Sequence, residues 1–266
     1  MKRIVLTALL GAAAMGVFAQ ADSTKTVSDT TVTKKAKYKV SFNLHSKRDT
    51  TTKKPSKAPG FSIGLTFARF DLGLATLVDN GSFTLSPKND FLRYRSWKTS
   101  NVGFDVFQAG YRFNSAFKIY LSAGFDWTHI RLREDITIQR DPDMSGLKYT
   151  TDATDYSKNR FSSSYLRIPL SFEFRTHDDN SGKRWHFVAG PDIGILLNGR
   201  VKQISEEFGK QKFNYTYHYT KLRYGGFARV GYGSMGIFAK YYMNDMFDTE
   251  AQKGLKNLSF GVMVGF

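Results

Sequence analysis

The side chains able to do chemistry in this sequence do not cluster; each interrupts a stretch in which every second residue is apolar. Asp71, Lys118, Asp126, Arg167, Glu173, Asp192, Arg223, Arg229 and Lys240 all occupy such positions. Gathered in one enclosed space, they could relay protons, hold a solute or line a channel. They could equally neutralise one another as a closed network of ion pairs. Four acids against five bases favours the network, because an ion-selective pore needs an excess of one sign.

Other motifs carry less. Gly231, Gly233 and Gly236 make a literal G-x-G-x-x-G, but strand patterns lie on both sides of it. The dinucleotide fingerprint requires a helix to follow, so this segment reads as a tight hairpin. Asp141, Asp143, Ser145, Gly146 and Asp152 loosely follow a calcium-loop spacing. They lack flanking helices and a final Glu, and Pro142 intervenes, so an acidic solvated loop is favoured over a calcium site. The five histidines are scattered without ligand spacing, and there is no cysteine. No catalytic, cofactor-binding or metal-ligating set is expected. His129, between Trp127 and Arg131, is the one histidine placed for a lipid-acting site; anchoring at a membrane interface is the preferred reading. Arg131 is then in reach of a lipopolysaccharide phosphate.

The elements that must position these residues are strands. Lys2 and Arg3 precede an apolar stretch from Ile4 to Phe18 and an A-x-A site at Ala19–Ala21. This is the pattern of a secretory signal peptide over 1–21, with cleavage before Asp22. The segment 22–60 is a basic Ser/Thr/Lys-rich region read as a flexible periplasmic linker. Within it Tyr38, Val40, Phe42 and Leu44 alternate with polar residues, so an extra strand there stays open against disorder. No later apolar run is long enough for a spanning helix, and only helices and closed barrels satisfy their backbones in lipid.

Eight strands are expected from Phe61 onward, near 61–78, 101–113, 116–138, 161–175, 184–198, 213–231, 234–244 and 257–266. The first two switch phase near Arg69 and Phe107, which marks bulges. Their connections alternate strictly between short and long, as when one rim faces the periplasm and the other the exterior. The fold class is therefore all-β: an eight-stranded antiparallel transmembrane β-barrel over 61–266, with short periplasmic turns and long extracellular loops. A hairpin hidden in a long loop would raise the count to ten.

Parity then sends the apolar set to lipid and the nine ionisable residues to the lumen. Trp127, His129 and Arg131 fall at the outer rim. Trp185 and Phe266 fall at the periplasmic rim, which explains why the chain ends on an aromatic: its last strand closes the barrel against its first. Phe213, Tyr215, Tyr217 and Tyr219 alternate above the sixth strand and are expected to extend the wall outward as a contact surface. The formal charge of +16 is concentrated partly in the basic linker. Export makes nucleic acid an improbable partner, and the external loops alternate in net sign, which argues against capture of one large polyanion.

SYLRIPLSFEF at 164–174 resembles the Y-L-x-I-P-L strand of the small PorT-like outer-membrane barrels of Bacteroidetes. FDLGLATLVDNGSFTL at 70–85, then Arg95, Ser96 and Trp97, follow in the same order of features. The resemblance implies an outer-membrane barrel of eight strands and insertion by the barrel-assembly machinery. It brings no catalytic motif and no cofactor. The expectation for function is a structural or protein-interaction barrel, an accessory of envelope assembly or secretion. Its partners would be outer-membrane lipid, lipopolysaccharide and an envelope protein. A small pore or solute-binding barrel is the alternative, with conductance sensitive to neutralising Arg167 or Arg229. A lipid-acting enzyme dependent on His129 is the third reading.

Overall fold

The computed structural model describes residues 39–40, 59–66 and 69–265. The expected signal peptide, nearly all of the basic linker and Phe266 lie outside the described residues. The strands, in chain order, are β1 (Lys39–Val40), β2 (Gly60–Leu65), β3 (Phe70–Asp79), β4 (Ser100–Arg112), β5 (Phe117–Arg131), β6 (Ile136–Ile138) and β7 (Tyr149–Thr151). They continue with β8 (Lys158–Arg175), β9 (Trp185–Ser205), β10 (Gly209–Tyr215), β11 (Leu222–Tyr232), β12 (Met235–Tyr242) and β13 (Leu255–Val264).

Eight of them form a closed antiparallel ring in the order β3, β4, β5, β8, β9, β11, β12, β13, with β13 returning to β3. The long loops do contain extra hairpins, but neither enters the ring. β6 and β7 form a separate two-stranded sheet, and β10 folds back on the outer end of β9. The expected third strand therefore stops at Arg131 rather than 138, and the expected sixth is two strands. The break is at Tyr217 and His218, which both take positive φ and turn the chain.

The alternation does the work the sequence implied. In β5 the burial pattern alternates between buried and half-buried positions along most of the strand. Glycine and the phase switches shape the wall. β2 and β3 together cover the expected first strand, and the β4–β5 register slips between Asp105 and Phe107. β13 reaches only Phe70, so the edge of β2 extends past the end of β13. Lys39 and Val40 pair in parallel with Ser62 and Ile63 on that strand. The turn at Gly233 and Ser234 joins Tyr232 to Met235, with Gly233 at φ +64, so the G-x-G-x-x-G run is a hairpin with no helix after it.

Closure rests on two facing glycines. Gly73 of β3 is opposite Gly261 of β13, and a β-carbon on Gly261 would lie 2.3 Å from the Gly73 Cα. Gly261→Val is expected to cost about 3 kcal/mol or more, because backbone, not a movable side chain, blocks the added atoms. The measurement is the fraction of protein that keeps the fast-migrating folded band on unheated gels.

A periplasmic belt of rings surrounds the turn end. Phe113, Phe117 and Phe174 pack ring against ring in succession, and Trp185 packs with Phe187 and Tyr232. The opposite end is different in kind. Above the wall, the loops fold into a cap with its own apolar core. Phe161, Tyr217, Tyr219, Phe247, Leu92 and Ile138 are among its buried members. Gln252 ties three loops together: its carbonyl oxygen accepts from the Leu147 N–H at 2.9 Å and its amide donates to Asn89 at 3.3 Å. Tyr217 and Tyr219 are thus interior, not the exposed wall expected of them; only Phe213 and Tyr215 lie on a strand, β10.

Candidate functional site

The inward positions of neighbouring strands converge at mid-barrel. Arg167 of β8 stands at the centre, 1 % exposed. Its Nε and Nη2 donate to Asp105 Oδ1 at 3.0 and 2.6 Å, and its Nη1 to Asp71 Oδ2 at 2.7 Å. Lys240 bridges Asp71 and Asp126 at 2.8 and 3.0 Å. Arg229 reaches Asp71 at 3.0 Å, Arg223 reaches Asp126 at 2.6 Å, and Arg69 reaches Asp105 at 3.2 Å. The Arg223 guanidinium also lies between the rings of Tyr165 and Tyr242, at 3.8 and 4.0 Å from their centroids. Tyr242 donates its hydroxyl to Asp192 at 3.1 Å.

Glu173 and Lys118 lie nearer the periplasm and apart from this centre. Glu173 accepts two hydrogen bonds from Arg175, each 2.8 Å, and contacts His186 Nδ1 at 2.8 Å. Lys118 lies over the Tyr120 ring. So all nine residues read from parity face the lumen and are buried, seven of them in one network and two in a lower layer. Asp105 and Arg69 belong to the network and were not foreseen. Both sit where the alternation breaks, and there parity gives no side.

The arrangement fills the barrel. Eight strands enclose an interior that side chains can occupy. Here the network spans the lumen, with Tyr120 and Val188 towards the turn end, Phe227 between Arg223 and Arg229 along β11, and the cap core above. A small cavity of about 20 Å³ lies between network and cap, beside Tyr165, Arg223 and Tyr242. That is about the room one water needs.

A family model for the outer membrane protein beta-barrel domain matches residues 58–248. The chain belongs to that family. The match stops before β13, which the structure nevertheless places as the closing strand of the barrel domain. No curated protein matches the chain. Membership agrees with the rims of the domain: Trp185 is 48 % exposed at the turn end, and Trp127 packs on Phe104 and Phe125 near the outer end.

His129 of the barrel domain contacts Ser162 Oγ through Nδ1 at 3.0 Å, a pair invisible in sequence because 33 residues separate them. Proton transfer from Ser162 would create an imidazolium with Arg160 and Arg200 nearby and no carboxylate hydrogen-bonded to the ring. That geometry suits a cross-strand contact better than a nucleophile and its base.

The acidic loop has its cation already. Lys148 Nζ lies 2.8 Å from Asp141 and 3.2 Å from Asp143. The Ser145 N–H and hydroxyl, with Lys148, hold the Asp143 carboxyl down at about 2. Among the described residues no group of three His, Asp or Glu side chains is arranged to hold a metal.

Proposed function

We propose that this outer-membrane barrel is a non-catalytic platform, a sealed pedestal that presents a folded external cap to another envelope protein. The observation that supports this most is the double closure: a buried ion-pair network at mid-barrel beneath an apolar core at the outer mouth. A conduit needs a continuous polar path, and the apolar cap core above the paired charges interrupts one. Activity then belongs to the outer surfaces. The cap offers a groove of about 730 Å³ lined by Pro87, Phe91, Arg93, Glu134 and Tyr149. Phe83, Met144 and Phe208 project from it, all exposed far from lipid, where apolar side chains favour protein contacts.

The finer parts of this reading belong with it: a leader over 1–21 directing export, insertion by the barrel-assembly machinery, kinship with the PorT-like group, and an accessory role in envelope assembly or secretion. The test is affinity purification of the tagged full chain from gently solubilised outer membranes, together with planar-bilayer recording. A stoichiometric envelope protein and no conductance above the lipid baseline are expected. Steady single-channel currents that change on Arg229→Gln would replace the platform with a pore. Acyl-ester hydrolysis by the purified barrel, lost in His129→Ala, would overturn the non-catalytic reading.

A further inference from the structure

On one side of the barrel, just beyond the lipid-facing apolar surface, four cations stand in a row across four neighbouring strands. Arg131 of β5 is directly opposite Arg160 of β8, Arg160 is opposite Lys202 of β9, and Lys202 is opposite Lys212 of β10. All four point outward, since the alternating neighbours Ile130, Phe161, Val201 and Gln203 are buried inside. Lys158 and Lys210 flank the row above, and Arg200 lies below it. Arg95 joins from the first loop, its N–H donating to the Arg131 carbonyl at 2.8 Å.

Like charges directly opposite on adjacent strands destabilise a sheet. No compensating carboxylate lies within ion-pair distance among the described residues. The charged groups nearest Arg131, Lys158, Arg160 and Lys202 are one another and their cationic neighbours. The acids of this wall, Asp155, Glu206 and Glu207, lie farther out around a separate recess. Lysines on an exposed edge strand discourage sheet-to-sheet aggregation, which accounts for Lys210 and Lys212. It does not account for Arg160 and Lys202, whose strands are paired on both sides.

Height identifies the counter-ion. The lipid-facing run of β9 passes through Ile193, Ile195 and Leu197, all exposed, and Arg200 and Lys202 follow at once. On β5 the same step leads from Phe125 and Trp127 to His129 and Arg131. The row therefore lies at the level of the outer headgroups. Trp97, 88 % exposed in the first loop two residues from Arg95, suits the same interface. On the far wall Tyr224, Tyr241 and Met243 occupy the rim, and Lys256 faces Val78 without a cationic neighbour in its row.

We propose that this face binds a phosphorylated glycolipid of the outer leaflet, with its phosphates bridging Arg131, Arg160, Lys202 and Lys212 and its acyl chains against Leu197 and Trp127. Guanidinium pairs with phosphate oxygens through two parallel hydrogen bonds, so the arginines supply geometry as well as charge. The site depends on neither the sealed lumen nor a protein partner.

The test uses the purified full chain in neutral detergent, with lipid A, enzymatically dephosphorylated lipid A, phosphatidylglycerol and inorganic phosphate as probes. Retention is read by native mass spectrometry and thermal unfolding. Phosphorylated lipid A is expected to be retained, and Arg160→Gln with Lys202→Gln to lower its affinity at least about tenfold. Lys256→Gln, on the other wall, should leave it unchanged. Without lipid, the Arg160/Lys202 variant should unfold at the same or a higher temperature, because repulsion has been relieved. Equal retention by the variant, or of dephosphorylated lipid A or phosphatidylglycerol by the parent protein, would overturn the site. Saturation by inorganic phosphate at the same concentration would overturn it in favour of a free anion.

Discussion

Arg167→Met is expected to cost the barrel about 3–5 kcal/mol, read as a lower denaturant midpoint in detergent micelles. The cost comes from what the substitution leaves behind. Asp71 keeps Arg229 and Lys240, and Asp126 keeps Arg223 and Lys240. Among the described residues Asp105 keeps one ion pair, with Arg69 at 3.2 Å, in place of two bonds from Arg167. A buried carboxylate so weakly compensated is the dominant penalty. Asp105→Asn in the Arg167→Met background should therefore recover a large part of the loss, whereas Asp71→Asn should recover less. Arg167→Lys should fall between wild type and Arg167→Met, because an ammonium cannot donate to Asp105 and Asp71 in the same planar fork. An Arg167→Met barrel with unchanged stability and a new ion current would show that the network gates a path instead of filling the lumen.

The lumen was largely legible before any coordinates because a strand has a period of two, and a charge in lipid is expensive enough to force its parity. Arg167 and Glu173 interrupt the run Leu166, Ile168, Leu170, Phe172, Phe174, and no outward placement was tenable. The same logic fails where the period fails. Asp105 lies at the register slip before Phe107, and Arg69 lies in the break between β2 and β3, so neither could be given a side. The cap was illegible for a different reason. Tyr217 and Tyr219 continue a period-two run that the positive-φ turn at Tyr217 and His218 breaks, Phe247 comes from a loop with no periodicity, and only tertiary folding shows that they meet Phe161. The cationic row was hidden by summing charge over loops. Arg131 and Arg160 lie on strand ends outside those loops, and Glu206 and Glu207 halve the charge of the segment that holds Lys202 and Lys212 while standing apart from them in space.

Phe161→Ala is expected to have the second large effect, and one that leaves the barrel standing. Phe161 is fully buried where the β8 wall enters the cap, with ring centroids of Tyr219, Tyr217 and Phe247 at 4.8, 5.5 and 5.9 Å. Truncating a buried Phe costs about 3–5 kcal/mol in transfer and cavity terms. Below it the wall is held by continuous strand ladders and the ion-pair network, neither of which uses the ring. The loss should therefore appear as local opening: protease cleavage in the segments 133–157 and 243–254 on intact membranes, with the unheated folded band retained. Arg167→Met should do the reverse, weakening the barrel while the cap stays resistant until global unfolding. In the double variant the two costs should add, since the sites share no contacting side chains. Strong non-additivity would mean that cap and network are a single coupled element, and the cap would then be part of the barrel's folding core instead of a structure it carries. That outcome would also move the search for a partner from the cap to the lipid-facing wall.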